Sequence, residues 1–221
     1  MTLAAEPAID VTTVSDLLHE LGDIPPSRVL LKPLPGTATV DDVLEVRRRT
    51  RRLCELVDGT LVEKGMGYKE SLLAVVIIRL LETFVEARNL GLVTGADGMM
   101  RLFADLVRIP DVAYVSWARI PGGRVPVDPI PRLAPNLAVE VLSASNTARE
   151  MERKRGEYFR AGVELVWIFD PDPRTVDVYT SPDTFTRLTE SETLDGGAVL
   201  PGFSIPLSQI FGVLDRRQDD K

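Results

Sequence analysis

The sequence predicts an α/β (α+β) domain, a mixed sheet with helices on its faces, and three observations carry that expectation. Leu137–Leu142 (LAVEVL) and Val163–Phe169 (VELVWIF) are short apolar runs of the kind that form strands buried on both faces. Ser145–Ala161 between them has a helical pattern, with Thr147-Ala148-Arg149-Glu150 reading as a capping box and Gly162 as the stop. Upstream, Tyr68–Asn89 repeats Leu72, Leu73, Val76, Ile77, Leu80, Leu81 and Phe84 at helical spacing, ahead of several short alternating runs.

In chain order, residues 1–36 carry Pro7, Pro25, Pro26, Pro33 and Pro35 around one short helical candidate, Val14–Leu21, and are expected to form an arm or loosely packed extension. Thr39 suits the N-cap of a charged helix ending near Arg52. Asp58-Gly59 between Arg52–Val57 and Thr60–Lys64 predicts a hairpin, because both turn positions need positive φ. After the long helix, with Gly91 as its stop, strands are expected at Leu92–Thr94, Met99–Phe103 and Arg108–Val115, followed by a proline-rich loop from Pro121 to Pro135. Beyond Phe169, Asp170-Pro171-Asp172-Pro173 turns the chain into strands at Arg174–Tyr179 and Phe185–Thr189. A Gly196-Gly197 turn and a short helix near Leu207–Leu214 end this β-rich tail. The expected organisation is one domain, 37–214, between the arm and a polar tail, 215–221.

A chain of 221 residues with 44% hydrophobic content can bury one substantial core. No apolar run approaches the roughly 20 residues of a membrane helix, and the first residues lack the basic start of a secretory signal. The expected location is therefore the cytoplasm, with no membrane partner. The single cysteine, Cys54, excludes a disulfide framework and a cysteine-rich zinc site. The single histidine, His19, has nothing to pair with and argues against zinc hydrolases and most nucleophilic triads. Chemistry must then rest on carboxylates, lysine, hydroxyls or an oxygen-bound metal. A net charge of −7 argues against affinity for nucleic acid over the whole surface but permits a local basic groove.

Within Leu137–Leu142, Glu140 shares a strand face with Ala138 and Leu142, so it is a carboxylate in an otherwise apolar strand. Such a group needs a metal, a cation or a proton. Asp111 follows Pro110 and precedes Val112-Ala113-Tyr114-Val115. If the two strands pair, both carboxylates face one site, and Mg²⁺, with Mn²⁺ as a substitute, is the cation that suits them. Lys154 lies on the following helix at one margin of the stripe formed by Met151, Tyr158 and Phe159, with Arg155 nearer its centre. Helical geometry does not choose between them; a compact ammonium that can hold a water or neutralise a phosphate oxygen favours Lys154.

Arg108-Ile-Pro-Asp-Val-Ala-Tyr-Val, Leu137-Ala-Val-Glu-Val-Leu-Ser, Lys154…Tyr158…Gly162-Val leading to Val166-Trp-Ile-Phe-Asp-Pro, and Leu200-Pro-Gly-Phe together resemble the Uma-two family. That family consists of restriction-endonuclease-like proteins within the PD-(D/E)XK nuclease superfamily, and the resemblance runs from about Leu53 to Phe211. It implies a restriction-endonuclease-like fold: a mixed central sheet, four-stranded at its core, flanked by helices, here with an added N-terminal hairpin and the β-rich tail. It also implies Mg²⁺-dependent cleavage of DNA through metal-activated water. By the same resemblance Asp111 and Glu140 are metal ligands, with the Val141 backbone carbonyl as a third. The superfamily's usual lysine lies two residues after the second acid, where this chain has Leu142, and Lys154 from the next helix would replace it. Where family members often carry histidine, at the start of the long helix, this chain has Glu70. It is an additional acidic metal candidate or a glutamate favoured by the helix dipole.

Two basic clusters stand out. Arg47, Arg48, Arg49, Arg51 and Arg52 read as a solvated helix face or a phosphate grip; of Arg149, Arg153, Lys154, Arg155 and Arg160, Arg153 and Arg155 are the candidates for DNA phosphate contact. The leading expectation is a Mg²⁺-dependent endonuclease acting on DNA. A catalytically inactive nuclease-fold module that binds nucleic acid or protein is the alternative, and a hydrolase of another phosphate ester is a third. A homodimer is the default oligomer on general grounds.

Overall fold

The structure, a computed structural model, describes residues 12–65 and 67–217; residues 1–11 of the expected arm and 218–221 of the expected tail lie outside the described residues. Helix α1 (Val14–Glu20) opens on a reciprocal capping box between Thr13 and Asp16, and α2 (Val40–Thr50) follows Thr39, whose N–H donates to Asp42 at 2.8 Å. Strands β1 (Cys54–Val57) and β2 (Thr60–Glu63) form the hairpin, with φ of 48° at Asp58 and 68° at Gly59, as the turn requires. Helix α3 (Tyr68–Glu86) leads to β3 (Gly91–Thr94), β4 (Met100–Phe103), β5 (Leu106–Arg108) and β6 (Val112–Ser116). Strand β7 (Leu137–Val141), helix α4 (Ala148–Arg160) and strand β8 (Leu165–Asp170) then form one unit. The tail comprises β9 (Thr175–Tyr179), β10 (Phe185–Thr189), β11 (Thr193–Gly196), β12 (Leu200–Pro206) and α5 (Leu207–Phe211).

The central sheet is six-stranded, in the order β10-β9-β8-β7-β6-β3. Only β7 and β8 run parallel, as the intervening helix demands; the other neighbours are antiparallel. Side chains alternate along β7. Leu137, Val139 and Val141 pack with Leu73, Val76, Ile77 and Leu81 of α3, while Ala138 joins Met151 and Tyr158 of α4 on the opposite face. Each such buried aliphatic side chain contributes roughly 1.5–3 kcal/mol, and this two-sided burial is what holds β7 in place between α3 and α4. A second sheet, β2-β1-β5-β4, has its own core with α2, around Val43, Leu56 and Val107.

The structure departs from expectation at three places. Arg108–Val115 is two strands in different sheets rather than one. Pro110 has no N–H for a ladder bond, and the chain leaves the four-stranded sheet at Arg108 to enter the six-stranded one at Val112. The described part of the arm is pinned, not loose: Leu21 and Ile24 are buried with Val57, Val62 and Leu106, and the Leu30 N–H donates to the Leu61 carbonyl at 2.9 Å. The α4 capping box is half formed. Thr147 accepts the Glu150 N–H at 3.0 Å, but the Glu150 carboxylate turns to Arg28, whose guanidinium grips both its oxygens at 2.8 and 2.9 Å.

Candidate active site

Glu140 lies on the face of β7 that α4 covers and is 5% exposed. In the neighbouring strand Val112 stands opposite Val139, which sets Asp111 opposite Glu140 on the same face. The Asp111 N–H donates to the Val139 carbonyl at 3.0 Å, and its Oδ2 accepts the Val141 N–H at 2.7 Å. From α4, Lys154 reaches in, its Nζ 3.5 Å from Glu140 Oε2. One turn on, the Tyr158 hydroxyl donates to Glu140 Oε1 at 2.5 Å. The structure therefore brings Asp111, Glu140 and Lys154 together.

It also brings in four charged groups that reading the sequence did not single out. Glu55 on β1 sits one step beyond the Leu56–Val107 pair, beside Arg108. Its Oε1 lies 3.2 Å from Lys154 Nζ and accepts the Ile109 N–H at 3.1 Å, while its Oε2 accepts from Arg108 Nη1 at 2.6 Å. Arg108 also donates from Nε to Glu157 Oε2 at 2.7 Å. Lys64, just past β2, places Nζ 2.8 Å from Asp111 Oδ1 and also donates to the Ile109 carbonyl. Four carboxylates (Glu55, Asp111, Glu140, Glu157) and three cations (Lys64, Arg108, Lys154) thus meet at the seam between the two sheets, every side chain 6% exposed or less. Glu55 carried the same signal as Glu140, an acid inside an apolar strand. Lys64 carried none.

The charges are unevenly matched. Burial pushes the Glu140 carboxyl up, and the nearby ammonium groups of Lys154 and Lys64 do not reverse this. Burial also opposes the charge on Lys154, but Glu140 and Glu55 outweigh it and hold the ammonium more firmly protonated than usual. Glu55 goes the other way from Glu140: despite complete burial, Lys154 and Arg108 keep it well below the usual carboxylate range. Lys154 lies nearer to Glu55, at 3.2 Å, than to Glu140, at 3.5 Å, and Glu55 also holds Arg108, which leaves Glu140 less compensated than Glu55. Burial, followed by the adjacent Glu140, also keeps the Tyr158 hydroxyl protonated well beyond its ordinary range.

The remaining candidates sit at the margin. Arg153 bonds Glu157 at 2.8 Å and Asp58 at 2.5 Å, so its guanidinium is held within the fold. Arg155 lies with its guanidinium 4.5 Å from the Tyr179 ring centroid, and its buried Nε has no hydrogen-bond partner among the described residues. Arg155 and Glu70 line a cavity of about 470 Å³ with Leu142, Ser143 and Asn146, immediately past the C-terminal end of β7. No hydrogen bond or ion pair joins Glu70 to Asp111 or Glu140 among the described residues. A larger cavity, about 1140 Å³, lies between α2 and the loop around Val125–Leu133 and contains none of these side chains.

Among the described residues no three His, Cys, Asp or Glu side chains are gathered so as to hold a metal. Asp111 and Glu140 are a pair of hard oxygen donors, and that fits Mg²⁺, which keeps several waters and takes one or two carboxylates. Softer metals that depend on thiolate or imidazole find no donors here.

A mixed sheet with Glu140 on one strand, Asp111 at the entry to its neighbour and Lys154 reaching Glu140 from the flanking helix is a restriction-endonuclease-like α/β arrangement. The chain belongs to the Uma2 family, described as "Putative restriction endonuclease", which matches residues 40–208. The crystal structure of a "putative nuclease" from Anabaena variabilis superposes with a TM-score of 0.70 at 20% identity, over 80% of this chain and 98% of that one. No curated protein matches the chain. No described helix is long and apolar enough to cross a membrane.

Proposed function

We propose that this chain is a Mg²⁺-dependent endonuclease that hydrolyses DNA phosphodiester bonds, with Asp111 and Glu140 holding the metal and the Val141 carbonyl beside them. The supporting observation is the pairing of those two carboxylates from adjacent strands on one sheet face, beneath a helix-borne ammonium. When bound, the metal supplies Lewis acidity, polarising water and a phosphate oxygen. The chain's own groups do the rest. Lys154, held charged by Glu55 and Glu140, is suited to neutralise developing phosphate charge or to orient a water, and not to act as a base. Tyr158 fixes the Glu140 carboxylate in orientation. Glu55 positions Lys154 through Oε1 while Arg108 holds its other oxygen. Arg155, with donor capacity to spare at the adjacent cavity, is better placed than Arg153 to meet a flanking phosphate.

Nicking of supercoiled plasmid in Mg²⁺ or Mn²⁺ tests this reading. Asp111→Asn and Glu140→Gln should each lower the rate by about a hundredfold or more while leaving the fold intact. Full activity in both would overturn it. A second reading, an inactive nuclease-fold module that binds nucleic acid or protein, draws on a different observation: each of the four carboxylate oxygens of Asp111 and Glu140 already has a partner inside the protein. That reading expects DNA binding without cleavage in every divalent cation tried.

A further inference from the structure

Lys64 has no part in the chemistry above, yet it occupies the most telling position in the centre. Of the two Asp111 oxygens, Oδ2 is fixed by the Val141 N–H at 2.7 Å; Oδ1 is the one left for a cation, and Lys64 Nζ sits on it at 2.8 Å. A divalent ion at its usual ~2.1 Å from the same oxygen would lie within a few ångströms of that ammonium and repel it.

The charge count points the same way. Four buried carboxylates face three buried cations, a net charge of −1; Arg153, at the rim on Glu157, is left out of this count because Asp58 also compensates it. Adding a dication to this set would leave the buried group with a surplus positive charge. Exchanging it for one ammonium leaves the group neutral, and an uncompensated buried charge is the costlier state. Lys154 is the poorer candidate to leave. It lies within α4 and bridges two carboxylates, whereas Lys64 has one ion pair and one backbone carbonyl, and Gly65 follows it at the open end of β2.

We propose that Lys64 is a displaceable counter-ion: its ammonium holds the cation position on Asp111 until a divalent metal takes that oxygen, so metal entry and withdrawal of Lys64 are one coupled event. This rests on the reading that Asp111 is a metal ligand, and it adds a gate to that site.

The test uses the full chain without DNA. Mn²⁺ binding is followed by electron paramagnetic resonance of the free ion, and amine acetylation is followed by mass spectrometry with and without Mg²⁺. Lys64→Met should bind Mn²⁺ about tenfold more tightly than the unaltered protein, a coupling within the usual range for linked equilibria. In the unaltered protein, Mg²⁺ should expose Lys64 to acetylation while Lys154 stays protected. Equal or weaker Mn²⁺ binding by a folded Lys64→Met variant would overturn the gate, as would a Lys64 that stays protected at Mg²⁺ concentrations that raise the melting temperature. If Lys64→Met fails to fold, the acetylation result decides alone. Absence of any Mn²⁺ binding or melting shift in either protein would overturn both the gate and the metal-dependent reading beneath it.

Discussion

Replacing Arg28 with alanine removes a guanidinium that serves three segments at once. It donates to both Glu150 oxygens at 2.8 and 2.9 Å, to the Glu63 carbonyl at 2.9 Å and to the Ser145 carbonyl at 3.3 Å. The paired side chains are 8% and 4% exposed. Without Arg28, the Glu150 carboxylate keeps, among the described residues, a side-chain donor only in Asn146, at 3.0 Å. Breaking a buried pair by deleting one partner costs about 3–5 kcal/mol. In a domain of this size each kcal/mol lowers the melting temperature by about 2–4 °C, so Arg28→Ala should melt roughly 6–20 °C below the parent near neutral pH. The pH dependence has a definite sign. Burial would raise the Glu150 carboxyl, but the Arg28 hydrogen bonds, together with the charges of Lys154 and Arg28 and the Asn146 bond, outweigh it and hold it below the ordinary value of 4.5. A depressed folded value means that the stabilisation is present above the unfolded value and is lost as pH falls through the folded one. The gap between variant and parent should therefore narrow below about pH 4. Thermal unfolding followed by circular dichroism at the two pH values is the assay. A variant melting within about 1 °C of the parent near neutrality, or a gap that widens in acid, would refute the reasoning.

Three further variants can be checked. Tyr158→Phe strips Glu140 Oε1 of its donor and should cost about 1–3 kcal/mol in urea unfolding, with slower nicking if the site is catalytic. The same variant should lose no amplitude in an alkaline absorbance titration of the folded protein, because the Tyr158 hydroxyl does not ionise there. Glu55→Gln leaves Lys154 and Arg108 each short of a charged partner inside the seam and should cost roughly 3 kcal/mol by the same unfolding measurement. Gly59→Ala should destabilise by more than about 1 kcal/mol, since φ is 68° and a Cβ there would lie 2.6 Å from the Gly36 backbone.

The strand–helix–strand unit of β7, α4 and β8 was legible because local pattern and global burial agree there: apolar runs of strand length bracket a capped amphipathic helix. The Asp58-Gly59 turn was legible for the same reason, its φ values being a local matter. Beyond Asp111, read from its place at the start of an apolar run, and Lys154, read from its place on the following helix, the candidate site was legible where a charge interrupts an apolar run. That criterion found Glu140 and would have found Glu55. It could not find Lys64, a lysine at a strand end like any other, nor Arg108 and Glu157, whose burial depends on the meeting of two sheets. The split at Pro110 went unread because a proline also suits the entry or edge of a single strand, and nothing local says that the flanks belong to different sheets. The α4 capping box was only half right because its glutamate is captured by a residue 122 positions away in the chain.

The bond from the Val141 amide to Asp111 Oδ2 makes this carboxylate the key that sets the alignment of β6 against β7. A slip of one residue would turn Glu140 into the apolar layer beneath α3 and leave that key without its lock. On the proposed reading, fidelity of assembly and capacity for chemistry would therefore be lodged in one side chain. An alanine at position 111 confounds the two, whereas asparagine keeps an acceptor for the amide and removes only the charge. It also follows that, with or without a cutting activity, this fold would be obliged to keep Asp111, so the presence of that residue is no testimony to turnover.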